Sequence, residues 1–206
     1  MAILTDMLTA RKLCLIRGDR CLFREVDFAL DAGELLFVAG ANGSGKTSLL
    51  RAIAGLLDLE SGDVLWNERP VSQNRQEFRA SLVWFAHRVG FKGDLTPVQN
   101  LQFEAGLRAF REVSIDDALA RVGVEYGAEL PMRVLSAGQQ RRVGLARLIL
   151  ANAPLWMMDE PFTNLDSDGQ ALVRELIAEH LAGGGICAMA SHQAVSIDAS
   201  THRIML

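Results

Sequence analysis

Cysteine is scarce in this sequence, and no two cysteines have the spacing of a paired motif. The three cysteines, Cys14, Cys21 and Cys187, are odd in number and form no Cys-x-x-Cys. This usage favours reduced thiols in the cytosol. The stretch from Met1 to Leu8 also lacks a basic segment followed by an apolar core, so we expect no signal peptide.

Long apolar runs and dense basic runs are missing as well. The longest stretch without a charged residue, 180–197, is interrupted by glycine, serine, glutamine and histidine, which is unlike a transmembrane helix. The net charge is −4 without any Lys/Arg tract, so nothing attracts nucleic acid or anionic lipid over the whole surface. We therefore expect no nucleic-acid partner and no direct membrane insertion, and any work at a membrane would go through a partner protein.

The composition that remains is typical of a globular α/β protein. The chain has 206 residues, of which 50% are hydrophobic and 22% charged, and this is enough for a substantial core. We predict a single domain over residues 1–206, with a helical subdomain at about 88–130.

A phosphate-binding loop is the most specific motif in the chain. Residues 40–47 fit Gly-x-x-x-x-Gly-Lys-[Ser/Thr] at every fixed position. An apolar run, 35–39, precedes the motif, and a segment with helical spacing, 48–54, follows it. Strand, loop and helix are the context that this motif requires. The nine residues predicted to bind a nucleoside triphosphate are Gly40, Ala41, Asn42, Gly43, Ser44, Gly45, Lys46, Thr47 and Ser48.

Each fixed position of this loop has a physical reason. Glycines let the backbone turn tightly around an anion, so that backbone N–H groups and the helix N-terminus point at the phosphates. Lys46 would reach the β- and γ-phosphates, and the hydroxyl of Thr47 would bind Mg²⁺. A glycine-rich turn that merely starts a helix is the alternative, and the agreement of both flanks disfavours it.

Hydrophobic patterning predicts the elements around the loop. Strands are indicated across 7–38 and at 63–66, 82–86, 155–158, 186–190 and 203–206. Helical spacing runs from Val98 to Phe110, with Pro97 in the first turn, and Ser114 is a predicted N-cap. Longer helices are predicted from Ser136 to about Asn152 and from Asp168 to Leu181.

Two adjacent acids follow the apolar strand at 155–158. In phosphate-loop enzymes a carboxylate at this place holds Mg²⁺, and a neighbouring acid polarises the attacking water. We assign Asp159 to the metal and Glu160 to general base catalysis. Two solvated acids at a strand end are the simpler explanation, and Lys46 and Thr47 upstream favour the catalytic one.

Ser136 begins a second segment suited to phosphate. A serine N-cap, bare backbone N–H groups and a helix dipole all favour an anion at this helix start. Alone, the signal is only that of a helix N-terminus. Its specificity comes from its position between the helical insert and the strand that ends in Asp159.

With this order of motifs, the chain resembles the ATP-binding subunits of ABC transporters over essentially its whole length. The family signature Leu-Ser-Gly-Gly-Gln is matched by residues 135–139, with Ala137 in place of the first glycine. The resemblance implies an α/β fold of the ABC ATPase type, with an N-terminal antiparallel β subdomain and a helical subdomain inserted before the signature. It also implies ATP and Mg²⁺ as cofactors and hydrolysis of ATP.

The resemblance further implies a head-to-tail homodimer. Ser136, Gly138 and Gln139 of one subunit would close over ATP held by Lys46 of the other. His192, after the last core strand, would be the switch histidine that contacts the γ-phosphate, so the catalytic set is Glu160, His192 and Lys46. Residues 163–166 match the loop that follows the catalytic acid in this family.

Two positions depart from the family pattern. His87 stands where a glutamine usually contacts Mg²⁺ and the membrane partner, so we place it with the metal residues Thr47 and Asp159. Where an aromatic usually stacks on adenine, the register gives Arg17 or its neighbours, whose guanidinium would have to substitute.

His87, the Ala137 signature and the segment Ser191-His192-Gln193 narrow the resemblance to the ATP-binding subunits of the haem exporter used in cytochrome c maturation. This branch implies integral membrane permease subunits as partners and a peripheral location on the cytoplasmic face of the inner membrane. In it, ATP hydrolysis drives release of a haem-loaded chaperone.

Three alternatives stay open at this point. They are the ATPase of another small ABC exporter, a soluble ABC-type ATPase acting on ribosomes or DNA, and a phosphate-loop kinase or GTPase. The second usually carries tandem cassettes or a long coiled coil, and the third would not explain residues 136–139.

Overall fold

This computed structural model describes residues 7–87, 90–193 and 196–206. Within these ranges the chain forms nine strands and six α-helices. These residues divide into two compact units. The first unit takes the described part of Met1–Trp84, together with Ala153–Glu160 and Ile177–Leu206. The second takes the described part of Phe85–Asn152, together with Pro161–Leu176.

The first unit contains an antiparallel sheet near the start of the chain. Its strands are β1 (Met7–Arg17), β2 (Arg20–Asp31), β4 (Ser61–Trp66) and β5 (Arg69–Pro70), in the order β2-β1-β4-β5. The hairpin between β1 and β2 turns at Gly18, whose φ of +55° suits glycine. The predicted N-terminal antiparallel subdomain is therefore confirmed.

A second sheet carries the ends of several strands to one edge. Its strands are β3 (Leu35–Ala39), β6 (Leu82–Phe85), β7 (Leu155–Asp159), β8 (Ile186–Ser191) and β9 (Thr201–Met205). The order is β6-β7-β8-β3-β9, and β3 pairs parallel with both β8 and β9. Every residue of β7 and β8 is buried, as expected of parallel strands covered on both faces. Since β7 is also parallel to β8, the residues that follow β3, β7 and β8 meet at one edge.

The helices agree with most of the predicted boundaries. They are α1 (Lys46–Ile53), α2 (Arg75–Ser81), α3 (Pro97–Ala105), α4 (Ile115–Arg121), α5 (Ala137–Leu150) and α6 (Ser167–Ala182). Three hydroxyl N-caps fix α3, α4 and α5, because Thr96, Ser114 and Ser136 each accept a hydrogen bond from the backbone N–H three residues on. None of the helices in the described ranges is long and apolar enough to cross a membrane.

One helix prediction was wrong in its end, and one helix was missed. Helix α3 ends at Ala105 instead of reaching Phe110, since the chain leaves the helix at Gly106 and Phe110 instead forms an isolated antiparallel bridge with Ala151. Helix α2 was not predicted, because its sequence is polar and only Phe78 is buried. The single domain over 1–206 and its subdomain at 88–130 stay predictions.

Candidate nucleotide site

The phosphate loop lies between β3 and α1, as its sequence predicts. Gly40, Gly43 and Gly45 have φ values of +153°, +78° and +114°. Gly45 is the N-cap of α1, and no side chain caps the helix there. The first-turn N–H groups of α1, at Lys46, Thr47 and Ser48, therefore lie at a helix start suited to an anion.

Lys46 is held within the loop. Its side chain is nearly buried, with 6% exposed, and Nζ donates to the carbonyl oxygens of Gly40 at 2.9 Å and Ala41 at 3.1 Å. Nζ also lies 3.8 Å from Oε1 of Glu160. Three oxygen atoms thus fix the ammonium at the mouth of the loop, where phosphate oxygens would replace some of them.

Thr47 and Asp159 meet although 112 residues separate them in sequence. Oγ1 of Thr47 lies 3.0 Å from each carboxylate oxygen of Asp159, whose residue is only 5% exposed. A hydroxyl and a carboxylate are hard oxygen donors of the kind that Mg²⁺ takes beside substrate phosphates and water. Within the described residues no three His, Cys, Asp or Glu side chains form a metal cluster, so nucleotide oxygens and water would complete the coordination.

Glu160 and His192 form a close pair at the same sheet edge. Oε2 of Glu160 lies 2.8 Å from Nδ1 of His192, and the backbone N–H of His192 donates to Oε1 at 3.1 Å. Glu160 has a φ of +50°, which is costly for a residue with a side chain. Its own N–H donates to the carbonyl of Ala190 at 2.9 Å, so the sheet holds this conformation in place.

The last strand supports the loop from outside, which the sequence did not predict. The N–H of Leu206 donates to the carbonyl of Ala39 at 2.9 Å. A Cβ on Gly40 would lie 2.5 Å from the carbonyl oxygen of Leu206 and 2.6 Å from Oγ of Ser44. The hydroxyl of Ser44 is buried and has no hydrogen-bond partner, which leaves it available to a phosphate oxygen.

This close approach makes Gly40→Ala a sensitive test of the loop. We expect ATP binding to weaken by about tenfold or more, because the added methyl group must displace Ser44 or the backbone at Leu206. Equilibrium binding of a fluorescent ATP analogue measures the change.

The matched control is Gly184→Ala. Gly184 also has a positive φ, +83°, but a Cβ there would meet no atom within 4 Å. This variant carries the cost of the backbone conformation without the contact, so its ATP affinity should equal that of the parent. Equal affinity for parent and Gly40→Ala would contradict the role given to this contact.

The signature residues lie in the second unit. Ser136 is exposed and caps α5, and the side chain of Gln139 accepts a hydrogen bond from the N–H of Ser136. A Cβ on Gly138 would lie 3.2 Å from the carbonyl oxygen of Asn164, which explains why this position has no side chain. His87 belongs to this unit as well and is exposed, so its place beside a metal stays a prediction.

The β1–β2 hairpin lies against the loop through an aliphatic side chain. A Cβ on Gly45 would lie 3.4 Å from Cβ of Leu22. Arg17 is exposed at the end of β1, opposite Arg20. The only aromatic residues of the described hairpin, Phe23 and Phe28, are buried and half-buried, which agrees with the missing adenine-stacking aromatic.

Comparison with known proteins identifies the family of this chain. Residues 23–163 match the family model described as ABC transporter. Over 192 residues the chain is 47% identical to the Cytochrome c biogenesis ATP-binding export protein CcmA of Methylococcus capsulatus, covering 92% of this chain and 93% of that protein. The protein of the same name from Aliivibrio fischeri is 43% identical over 195 residues, covering 94% and 96%.

A solved structure gives the same result for the fold. The putative ABC transporter (ATP-binding protein) of Pyrococcus furiosus superposes with a TM-score of 0.82 at 26% identity, covering 96% of both chains. Together with the family match, this shows a phosphate-loop fold of the ABC ATPase type. The chain therefore belongs to the ABC transporter family and is an ATP-hydrolysing subunit of a transporter.

Proposed function

We propose that this chain powers the haem export complex of cytochrome c maturation, as a homodimer on the cytoplasmic face of the inner membrane. The observation that carries the proposal is the 47% identity to a cytochrome c biogenesis ATP-binding export protein over 92% of the chain. His87 in place of the usual glutamine supports the same branch. Permease subunits in the membrane would be the partners, docking on the helical subdomain at about 88–130.

Lys46, Thr47 and Asp159 would hold the nucleotide and its metal. The loop N–H groups and Lys46 would bind the β- and γ-phosphates, exchanging carbonyl contacts for phosphate contacts. Thr47 and Asp159 would hold Mg²⁺, which supplies charge neutralisation at the phosphates when bound. Both side chains already lie 3.0 Å apart, so little reorganisation is needed.

Glu160 would activate the attacking water. Its carboxylate accepts a hydrogen bond from the backbone N–H of His192, and this contact remains when the ring of His192 turns. A carboxylate that takes a proton from water must be held at a fixed distance from the γ-phosphate, and the rigid end of β7 provides this. On nucleotide binding, His192 would turn to contact the γ-phosphate.

Closure of two copies would complete each site. Ser136 is already oriented by its capping box, so its hydroxyl, the N–H group of Gly138 and the positive end of α5 form one anion-binding surface. That surface on one copy would cover the γ-phosphate held by Lys46 of the other. Closing and opening of the pair would be the mechanical output.

The alternative functions differ in what they would bind. The acidic balance of the chain disfavours DNA or ribosomal RNA. Another small exporter would share every nucleotide residue and differ only in cargo.

The experiment that tests the proposal is affinity purification of the tagged chain from detergent-solubilised membranes, with haem measured on the eluate. Integral membrane proteins together with haem would support it. Membrane proteins without haem would favour another exporter, whereas ribosomes or DNA would overturn the transporter assignment.

His87→Ala tests the coupling role proposed for that residue. We expect the ATPase stimulation seen in the assembled complex to fall strongly, while basal hydrolysis by the isolated subunit changes by less than about twofold, since the proposed role lies in contact with partners. Steady-state ATPase assays of the subunit and the complex give both values.

His202→Ala is the matched control for this change. His202 lies on β9 in the first unit and pairs with Glu34 at 3.2 Å, whereas the proposed partner surface belongs to the second unit. It should leave both rates unchanged. Equal losses of both rates in His87→Ala would indicate a role at the metal instead.

A further inference from the structure

Helix α5 contains two buried arginines that the nucleotide chemistry does not use. Arg141 is 3% exposed and Arg147 is 8% exposed. Charged side chains are rarely buried unless they bind specific partners. Both lie in the second unit, and both are directed at aromatic residues that flank His87 in the sequence.

Arg141 binds the backbone at the C-terminal end of β6. Nη1 donates to the carbonyl oxygens of Ala86 at 2.6 Å and His87 at 2.9 Å. The guanidinium also lies over the ring of Phe85, 4.3 Å from its centroid. The guanidinium thus contacts three consecutive residues, because Nη1 binds two carbonyls and the planar group lies over the ring. We call this set, Arg141 with Phe85, Ala86 and His87, the arginine clamp.

Arg147 fixes the same helix to a residue beyond His87. Its guanidinium lies 5.2 Å from the ring centroid of Phe91, and Nη1 donates to Oε1 of Glu104 at 3.2 Å. Burial lowers the pKa of Arg147, while the neighbouring carboxylate of Glu104 opposes that shift. A buried cation held in this way resists displacement, because leaving its partners would expose an uncompensated charge to an apolar interior.

The clamp lies close to the functional end of α5. Arg141 is five residues after Ser136, which is about 7.5 Å along the helix axis. Ser136 would bind the phosphate of the partner copy, and His87 would face the membrane partners. The same rigid helix therefore carries the signature at its start and the backbone of the His87 segment on its side.

We infer that Arg141 is a positioning residue that transmits closure at Ser136 to the His87 segment, an inference that rests on the proposed function. When α5 moves to cover a phosphate, the bonds from Arg141 pull the carbonyls of Ala86 and His87 with it. Arg147 holds the other side of the segment through Phe91. Nucleotide state would thus reach the partner surface through the clamp.

Hydrogen exchange on the full chain tests this, in a Glu160→Gln background that retains bound ATP. In this parent, ATP should slow amide exchange about tenfold both in peptides covering 136–141 and in peptides covering 82–87. Adding Arg141→Met should keep the first response and abolish the second. Arg141→Lys should restore only part of it, since it keeps the charge but not the planar group.

Arg121→Met is the matched control. Arg121 is a more exposed arginine of the same unit, paired with Glu175 at 3.2 Å, and its loss should leave both responses intact. Phe85→Leu provides a second route if Arg141→Met does not fold, because it removes the ring beneath the guanidinium but keeps both carbonyls. It should weaken the response at 82–87 alone.

The outcomes distinguish the arginine clamp from the proposed closure of two copies. A response at 82–87 that survives Arg141→Met overturns the role of the clamp. It leaves in place the proposal that two copies close to complete each nucleotide site. A parent that shows no response at 136–141 overturns the proposed closure and the inference built on it.

Discussion

Glu160→Gln is expected to slow ATP hydrolysis by about 10²–10⁴-fold while leaving ATP binding intact. Glutamine has nearly the shape of glutamate, but its amide cannot accept a proton from the attacking water. The binding groups are largely separate, because Lys46 keeps its hydrogen bonds to the carbonyls of Gly40 and Ala41. Single-turnover hydrolysis and equilibrium ATP binding, measured on the same preparation, give the two quantities.

The chain offers a close control for this change. Glu34 is also a glutamate paired with a histidine in the first unit, with 3.2 Å between Oε2 and Nε2 of His202. Glu34→Gln removes a carboxylate from a glutamate–histidine pair but does so away from the phosphate loop. It should leave hydrolysis near the parent rate. Near-normal turnover in Glu160→Gln would instead remove Glu160 as the base.

The predicted size of the effect depends on geometry that the sequence does not contain. Sequence places Glu160 after a buried strand and His192 after another, 32 residues later. It gives no reason for Glu160 to have a φ of +50°, since glycine or asparagine would be the usual residue for that conformation. The parallel pairing of β7 and β8 supplies the reason, because it brings both strand ends to one edge.

Features fixed by local chemistry were predictable. The phosphate loop, the N-caps at Ser114 and Ser136 and the alternation of the first strands all depend on residues within a few positions of one another. The structure confirms these elements with small shifts at their ends. Helix α2 escaped because a short polar segment with one buried phenylalanine has no clear period.

Features fixed by distant contacts were not predictable. The support of Gly40 by Leu206 joins positions 166 residues apart, and neither residue type signals it. Arg141 and Arg147 are similar cases. On a helix, charged residues usually indicate the solvent face, so the sequence predicts that both arginines are exposed. Their burial follows only from the tertiary packing of Phe85 and Phe91 beside α5.

Ser136→Arg is expected to abolish most hydrolysis, by about 10²-fold or more, while each isolated chain still binds ATP. Ser136 is exposed at the N-cap of α5, so an arginine there does not enter the core of the second unit. In the proposed dimer it would occupy the place of the γ-phosphate of the partner and prevent closure. The nucleotide residues of the first unit are unchanged, so single-site affinity should stay within about twofold of the parent.

Ser114→Arg is the matched control, because it makes the same substitution at another serine N-cap. Ser114 is likewise an N-cap whose hydroxyl accepts from the backbone N–H three residues on, and it lies in the same unit. The loss of a cap costs about 1 kcal/mol in either variant. Only the variant at Ser136 should lose hydrolysis, because of these two helices only α5 would begin next to a phosphate.

Sedimentation in the Glu160→Gln background makes the same comparison without turnover. ATP should convert the parent and its Ser114→Arg derivative to dimers, whereas the Ser136→Arg derivative should stay monomeric with nucleotide bound. In this background ATP is hydrolysed too slowly to dissociate a closed dimer. The absence of a dimer would therefore mean that the contact between the two copies does not form, and not that the dimer is short-lived. Hydrolysis that survives Ser136→Arg, or a parent that stays monomeric with ATP both alone and beside its membrane partners, would mean that each chain completes its own site. The mechanical cycle would then need another source.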